Sequence, residues 1–358
     1  MSNAIGFICA PTHWLSLPVP SLVHFQTNLN SLSSPFSGSS IVLAVSLPAS
    51  KSRFYASITK SNSSMAASIQ ASAYSSTIGS ESDKLKMSSS SLVGPNDLLI
   101  VGPGVLGQLV AEEWREQHPV CQIFGQTFTT DHHDELIKIG INPSLKGKLS
   151  DRKFPYVIFC APPSRSPDYP DDLREAASSW NGEGSFLFTS SSAPYDVSDN
   201  GPCDEDSPVA PIGKSPRSDV LLKAEKVVLE HDGCVLRLAG LYKIDRGAHH
   251  YWLEKGTVDV RPDHILNLIH YEDAASLSVA ILKKKLRGRI FLGCDNHPLS
   301  RQEIMDLVDK SGKFEKKFNK FTGTKDTLGK KLSNSKTRKE IGWEPKYPSF
   351  ANFLGVSE

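Results

Sequence analysis

Three glycines stand at the spacing G-x-G-x-x-G in Gly102-Pro-Gly-Val-Leu-Gly107. They follow a short apolar run, Asp97-Leu-Leu-Ile-Val101, and precede Gln108 to Gln117, where Leu109, Val110 and Trp114 recur at helical spacing. Strand, glycine turn and helix in that order form the arrangement that cradles a dinucleotide. Gly102 permits the tight turn, Gly104 lets the backbone approach a pyrophosphate, and Gly107 lets the helix close on the strand. At the helix start, Val105, Leu106 and Gly107 then offer free N–H groups and the positive end of the helix dipole to the phosphates.

The chemistry that separates NAD from NADP lies about twenty residues further on, at the end of the second strand. That position reads Gly125-Gln126-Thr127-Phe128-Thr129. It offers neither an acid to repel a 2′-phosphate nor an Arg to bind one. Gln126, Thr127 and Thr129 can hydrogen-bond either group. The absent carboxylate removes the usual reason to exclude NADP, so the sequence leans to NADP with NAD as the other choice. Ala161 and Pro162, which close a later apolar strand, complete the expected cofactor-binding set.

These residues need a scaffold, and the rest of the chain describes one. Val120 to Phe124 is a second apolar run, and Asp131 to Ile139 suits a helix. Tyr156 to Cys160 reads as a strand, Asp171 to Trp180 as a helix, and Ser185 to Thr189 as a strand followed by Ser190-Ser-Ser192. Asp219 to Glu230 is a periodic helix and Cys234 to Leu238 a further strand. Short apolar strands alternating with helices predict an α/β fold with a doubly wound parallel sheet of the Rossmann type. From about Gly240 the elements shorten. The expected organisation is a linker over 81–95, a dinucleotide-binding domain over 96–240, and a smaller C-terminal lobe over 241–358 with returning elements. In such sheets the ligand rim is the carboxyl end of the strands, where a small-molecule substrate is expected.

The motifs together resemble the short-chain dehydrogenase/reductase superfamily, and more closely its extended, atypical branch of NAD(P)-dependent epimerase/dehydratase-like proteins. The resemblance covers about 96–356. Besides the glycine turn it includes Phe188-Thr-Ser-Ser-Ser-Ala-Pro-Tyr195, Asp204-Glu-Asp-Ser-Pro208 and Lys223-Ala-Glu225. It continues through Val235-Leu-Arg-Leu-Ala-Gly-Leu-Tyr242, Asn267-Leu-Ile-His-Tyr-Glu-Asp-Ala-Ala275 and Leu332-Ser-Asn-Ser-Lys-Thr-Arg-Lys-Glu-Ile-Gly-Trp343. The family's catalytic set is a strand-end Ser or Thr, then a Tyr and a Lys four apart on the next helix. Aligned on Tyr195, the resemblance puts the Ser role at Ser191. A hydroxyl there can hydrogen-bond a substrate oxygen, or simply the backbone of its own turn.

Counted back from Glu225, the family's Tyr position holds Arg217 and its Lys position holds Leu221. Both catalytic identities are gone. Arg stays charged and cannot donate a proton near neutrality, although it can bind an anion or an oxyanion. Tyr251 to Lys255 repeats the Tyr-x-x-x-Lys pattern in the wrong context; Tyr195, Tyr242 and His270 are other acid/base candidates. The resemblance thus implies either an atypical oxidoreductase or epimerase-like enzyme using Ser191 and Arg217, or a dinucleotide-bound sensor, scaffold or RNA-binding protein without turnover.

Composition sets the wider bounds. The 358 residues carry 40 Lys+Arg against 39 Asp+Glu, which argues against a wholesale polyanion binder. No run approaches the roughly 20 apolar residues of a membrane span. Residues 1–80 hold 21 Ser and three basic side chains, Lys51, Arg53 and Lys60, but no acid. That composition is expected of a transit peptide, and the scarcity of Arg points to the chloroplast stroma rather than the mitochondrion. The six cysteines are too widely spaced for a zinc knuckle or redox dithiol, and no metal site is expected. Residues 313–339 carry ten Lys or Arg and two acids, with Phe314, Phe318 and Phe321 interleaved. Such a segment can bind single-stranded RNA, but the favoured reading is a solvated face with its Phe residues packed inward.

Overall fold

The computed structural model describes residues 93–149 and 151–357. The expected transit segment at 1–80 and the linker up to residue 92 lie outside the described residues. The chain begins with β1 (Leu98–Val101), α1 (Val105–Gln117), β2 (Ile123–Thr127), α2 (His133–Lys138), β3 (Asn142–Leu145), β4 (Phe154–Phe159), α3 (Tyr169–Ser178) and β5 (Trp180–Ser191). It goes on through β6 (Gly201–Cys203), α4 (Pro216–Glu230), β7 (Cys234–Leu238), β8 (Gly240–Tyr242), α5 (Ala248–Lys255), β9 (Thr257–Val258), β10 (Ile265–Leu266), β11 (Leu268–His270) and α6 (Tyr271–Lys284). It ends with β12 (Ile290–Gly293), β13 (Leu299–Ser300), α7 (Arg301–Ser311), β14 (Lys320–Phe321), β15 (Lys330–Leu332), α8 (Ser335–Ile341) and α9 (Phe350–Leu354).

Seven strands form one sheet in the order β3-β2-β1-β4-β5-β7-β12, and every neighbouring pair is parallel. This is the doubly wound Rossmann sheet that the alternating apolar runs predict. Its inner strands are buried on both faces, which is why Leu-Leu-Ile-Val at β1 is apolar without alternation. Leu98 and Ile100 face α1 and α6; Leu99 and Val101 face α3 and α4. The strand order reverses between β1 and β4, and a crevice for ligand opens at such a point.

Most element ends shift by a few residues from the sequence reading, β5 most of all, since it starts at Trp180 rather than Ser185; one displaced strand and one missed strand have a physical reason. The second strand is Ile123–Thr127, not Val120 to Phe124, and Val120 is 94% exposed. The Gln122 amide donates to the Asp97 side chain Oδ1 at 2.8 Å rather than to a neighbouring strand, so the strand starts later. β3, Asn-Pro-Ser-Leu, is an edge strand with little apolar content and gave no pattern to read.

Elements after Gly240 serve two places. β12 and α6 return to the central sheet. Others build the two-stranded sheets β8–β11, β10–β13 and β9–β14 beside a separate apolar cluster that includes Tyr242, Trp252, Ile304, Met305 and Phe350, while β15 reaches back to pair with β6, and its Leu332 joins Cys203 in the core that holds Leu98 and Ile100. Among the described residues no helix is long and apolar enough to cross a membrane.

Candidate functional site

The glycine turn follows β1 at the crevice. Gly102 has φ of 80°, and a Cβ there would lie 2.6 Å from both the Ala161 nitrogen and its Cα. A side chain is thus excluded by backbone angle and by close approach to the end of β4. The Gly102 amide donates to Gln126 O at 2.9 Å, and the Gly104 amide to Gly102 O at 2.8 Å, which closes the turn. Gly107 is constrained by helix packing, since a Cβ would lie 2.9 Å from Ile100 Cγ2. Gly104 is the opposite case. It is exposed, and no heavy atom of the described residues lies within 4 Å of a Cβ built on it.

Gly104 is also the N-cap of α1, so no side chain caps that helix. The amides of Val105, Leu106 and Gly107 have no intrahelical acceptor by geometry. α3 and α4 pack on this same sheet, yet Asp168 caps the first and Ser215 the second. The turn therefore presents open space beside helix-start N–H groups and a positive dipole end, which suits a phosphate. Ala161 forms the wall against Gly102, its carbonyl accepting from the Tyr169 hydroxyl at 2.7 Å, and Pro162 beside it is exposed.

At the end of β2, Gln126 is buried and its amide Nε2 donates to Glu175 Oε1 on α3 at 3.1 Å. Lys146, just past β3, reaches Asp172 Oδ1 at 2.5 Å and Glu175 Oε2 at 3.2 Å. The hydrogen bond to Asp172 holds the Lys146 pKa above its ordinary value. Thr127 Oγ1 donates to Thr129 O at 2.9 Å and pairs with His133 Nε2 at 2.7 Å. Sequence reasoning named Gln126 and Thr127 but missed Lys146, Asp172 and Glu175. The only available signal was the i, i+3 spacing of Asp172 and Glu175 on one helical face.

The other side of the rim is built from β5, β7 and α4. Ser191 ends β5, and its Oγ accepts from the Ala193 amide at 3.2 Å, a local turn. Ser190 points inward and donates to Glu225 Oε1 at 2.6 Å. Glu225 is paired with Arg237 at 2.6 Å, both fully buried, and the Arg237 guanidinium lies 4.7 Å from the centre of the Tyr195 ring. Burial pushes the Tyr195 hydroxyl up to about 12. Lys330 donates to Tyr195 O at 2.5 Å and Ser192 O at 3.3 Å, fastening the loop after Ser191. Burial lowers its pKa. Arg217 is exposed in the first turn of α4, one turn before Leu221, which is buried in the core.

The remaining acid/base candidates are held in packing. His270 caps α6, its Nδ1 accepting from the Glu272 amide at 3.3 Å, and burial lowers its pKa to about 4. Tyr242 is fully buried in the aromatic cluster, 5.0 Å from Phe350. Tyr251 and Lys255 lie on α5, with the Lys255 ammonium 5.8 Å from the Tyr251 ring. In the basic segment Phe314, Phe318 and Phe321 pack against the same cluster as Tyr242, while Lys316, Lys317, Lys336 and Arg338 form ion pairs. Among the described residues no three His, Cys, Asp or Glu are grouped to hold a metal ion.

The fold has many solved counterparts. A functionally unknown conserved protein from Silicibacter pomeroyi DSS aligns with a TM-score of 0.59 at 20% identity, covering 72% of this chain and 96% of that one. A dTDP-glucose 4,6-dehydratase from Bacillus anthracis str. Ames, in complex with NAD, aligns with a TM-score of 0.60 at 15% identity over 72% of this chain and 94% of its own. A UDP-glucuronic acid 4-epimerase from Bacillus cereus, also in complex with NAD, gives a TM-score of 0.58 at 15% identity over 73% and 94%. No family model matches the chain. No curated protein matches it in sequence. The likeness defines the class of fold, the Rossmann architecture used by epimerases and dehydratases.

Proposed function

We propose that this chain binds a nicotinamide dinucleotide along the rim of its sheet and acts there on a small-molecule substrate as an atypical oxidoreductase or epimerase-like protein of the extended short-chain dehydrogenase/reductase type. One observation carries the binding claim: the open space at Gly104 adjoins a helix start that no side chain caps. The similar folds that hold NAD support it. In this reading the amides of Val105, Leu106 and Gly107 receive the pyrophosphate, Gln126 and Thr127 face the ribose, and Ala161 and Pro162 border the crevice. When bound, the dinucleotide supplies hydride transfer. The lean toward NADP rests on the missing acid at Gln126.

On the substrate side the chain's own groups are the Ser191 hydroxyl, which can orient a substrate oxygen, and the Arg217 guanidinium, which can stabilise negative charge developing there. Calorimetry of the full chain with NADH and NADPH tests the binding claim; the absence of heat with both defeats it. Arg217→Ala and Ser191→Ala are expected to cut turnover on a true substrate by about 10²–10³ each with dinucleotide affinity intact. A second reading, a dinucleotide-bound sensor or scaffold without turnover, is favoured by buried Leu221 at the Lys position and by the Ser191 turn. The double change Arg217→Tyr and Leu221→Lys then creates slow carbonyl reduction absent from the parent.

The same proposal assigns the protein to the plastid stroma, on the acid-free, Ser-rich composition of residues 1–80. A fluorescent fusion of residues 1–90 should enter plastids; cytosolic retention or secretion of that fusion refutes the assignment.

A further inference from the structure

We infer that this site selects NAD over NADP, and that the selecting carboxylate is Glu175 on α3, acting on the ribose position through Gln126. The inference rests on the dinucleotide-binding reading above. It starts from the address of Gln126. Its carbonyl accepts from the Gly102 amide at 2.9 Å, and it pairs with Val101, the last residue of β1. It therefore stands at the strand end where this fold class places the acid that meets the ribose hydroxyls.

A neutral amide could serve either cofactor if it were free to flip. Gln126 is not free. A carboxylate only accepts hydrogen bonds, so the contact with Glu175 Oε1 at 3.1 Å fixes the amide with its NH₂ toward α3. The carbonyl oxygen, Oε1, is the atom it has left to present. That atom accepts, as the usual acid would. It matches a 2′-hydroxyl, which donates, and it faces a 2′-phosphate, which cannot, with an unfavourable oxygen.

Charge points the same way. Lys146 is a cation beside this strand end, its backbone amide donating to Thr127 O at 2.9 Å and its ammonium 5.7 Å from the centre of the Phe128 ring. Its ammonium is shared between Asp172 at 2.5 Å and Glu175 at 3.2 Å. Two carboxylates against one ammonium leave the cluster net negative. A phosphate could recruit Lys146 only by drawing it off both partners, one of them buried. The spatial arrangement spans 49 residues between Gln126 and Glu175, so the sequence around β2 reads as permissive while the folded site is not.

The test titrates the full chain with NADH and with NADPH by calorimetry. The parent is expected to bind NADH about tenfold tighter or more, the scale of one unmatched charge at close range in a half-exposed site. Glu175→Gln keeps an acceptor for Gln126 but removes the charge, so NADPH should gain about tenfold while NADH barely changes. Lys146→Met should move NADPH the other way. Asp172→Asn provides a second charge removal should Glu175→Gln fold poorly, and it too should favour NADPH. Opposite movements of the NADPH/NADH ratio cannot come from general loosening, which weakens both cofactors together. A parent that binds NADPH as tightly as NADH, or a ratio unchanged in both Glu175→Gln and Asp172→Asn, overturns the inference and leaves the dinucleotide reading standing. Failure of the parent to bind either cofactor instead overturns that reading, and the inference with it.

Discussion

The two sides of the crevice treat their polar groups in opposite ways. On the glycine-turn side the first amides of α1 have no acceptor within their helix, and no heavy atom of the described residues lies within 4 Å of a Cβ at Gly104. On the β5–α4 side the polar groups close on one another. Ser190, Glu225, Arg237 and Tyr195 form one buried chain, Lys330 fastens the loop above it, and Ser191 bonds its own turn. An unmet donor at the surface is tolerable because water or a ligand satisfies it; an unmet charge in the core is not. The contrast teaches that the first side is shaped to receive something and the second to hold the fold. The first must therefore lose binding when altered, and the second must lose stability.

The largest expected effect lies on the second side. Glu225→Ala leaves the Arg237 guanidinium buried without its bidentate partner, and removes the acceptor for Ser190. Breaking a buried pair from one end costs about 3–5 kcal/mol. Chemical denaturation should show that loss, while the fraction still folded binds dinucleotide as the parent does. A loss of under about 1 kcal/mol would mean that the buried chain is not holding the fold.

The first side is sharpened by two glycines two residues apart. Gly104→Asp adds its side chain into open space, so stability should change little. It also sets a negative charge in that space, and dinucleotide affinity should fall by about a hundredfold or more, roughly 2.7 kcal/mol. Gly102→Ala should do the reverse. It meets Ala161 backbone at 2.6 Å and forces a side chain onto a φ of 80°, so stability falls by about 1–3 kcal/mol before any ligand is considered. Thermal melts beside calorimetry separate the two outcomes. Equal dinucleotide affinity of Gly104→Asp and parent would remove the glycine turn from the binding site.

The same division explains what could be read from the sequence. The glycine turn is local: its three glycines act within six residues, and each environment follows from strand, turn and helix geometry. The central sheet was legible because buried parallel strands are continuous apolar runs, as at β1 and β4. β3 was not, because an edge strand needs few apolar residues and Asn-Pro-Ser-Leu carries almost none. Nor was the partner of Gln126, since Glu175 reaches it only after α3 docks on the sheet. Ser191 could be nominated by its strand end, but the Ala193 amide that takes its oxygen depends on the exact course of the turn.

The smallest expected effect concerns pH and carries the theme of enclosed charge into the C-terminal lobe. Asp295 follows β12; its Oδ1 accepts from the His297 amide at 2.9 Å, and its Oδ2 is buried with no partner among the described residues. Burial raises its pKa to about 8. Nearby Tyr242 also has a buried hydroxyl without a partner among those residues, and burial followed by the Asp295 charge holds that hydroxyl above its ordinary range. A carboxyl whose folded pKa is raised binds its proton more tightly folded than unfolded. Stability then falls as pH rises from the unfolded carboxyl range, near 4, to about 8. Below about 6.5 the trend is obscured, because burial lowers His249 and His270 to about 4, which makes stability rise with pH there. Asp273, raised to about 6 by burial, acts in the same direction as Asp295 and is mostly ionised by about pH 7. Between about pH 7 and 8 Asp295 dominates, and stability should fall by at most about 1.4 kcal/mol per pH unit. Asp295→Asn removes the titrating proton while its amide oxygen still accepts from His297. Melting temperatures across that window should decline in the parent and stay level in Asp295→Asn. A flat parent curve would mean that water reaches Oδ2 and that this carboxylate is ionised throughout.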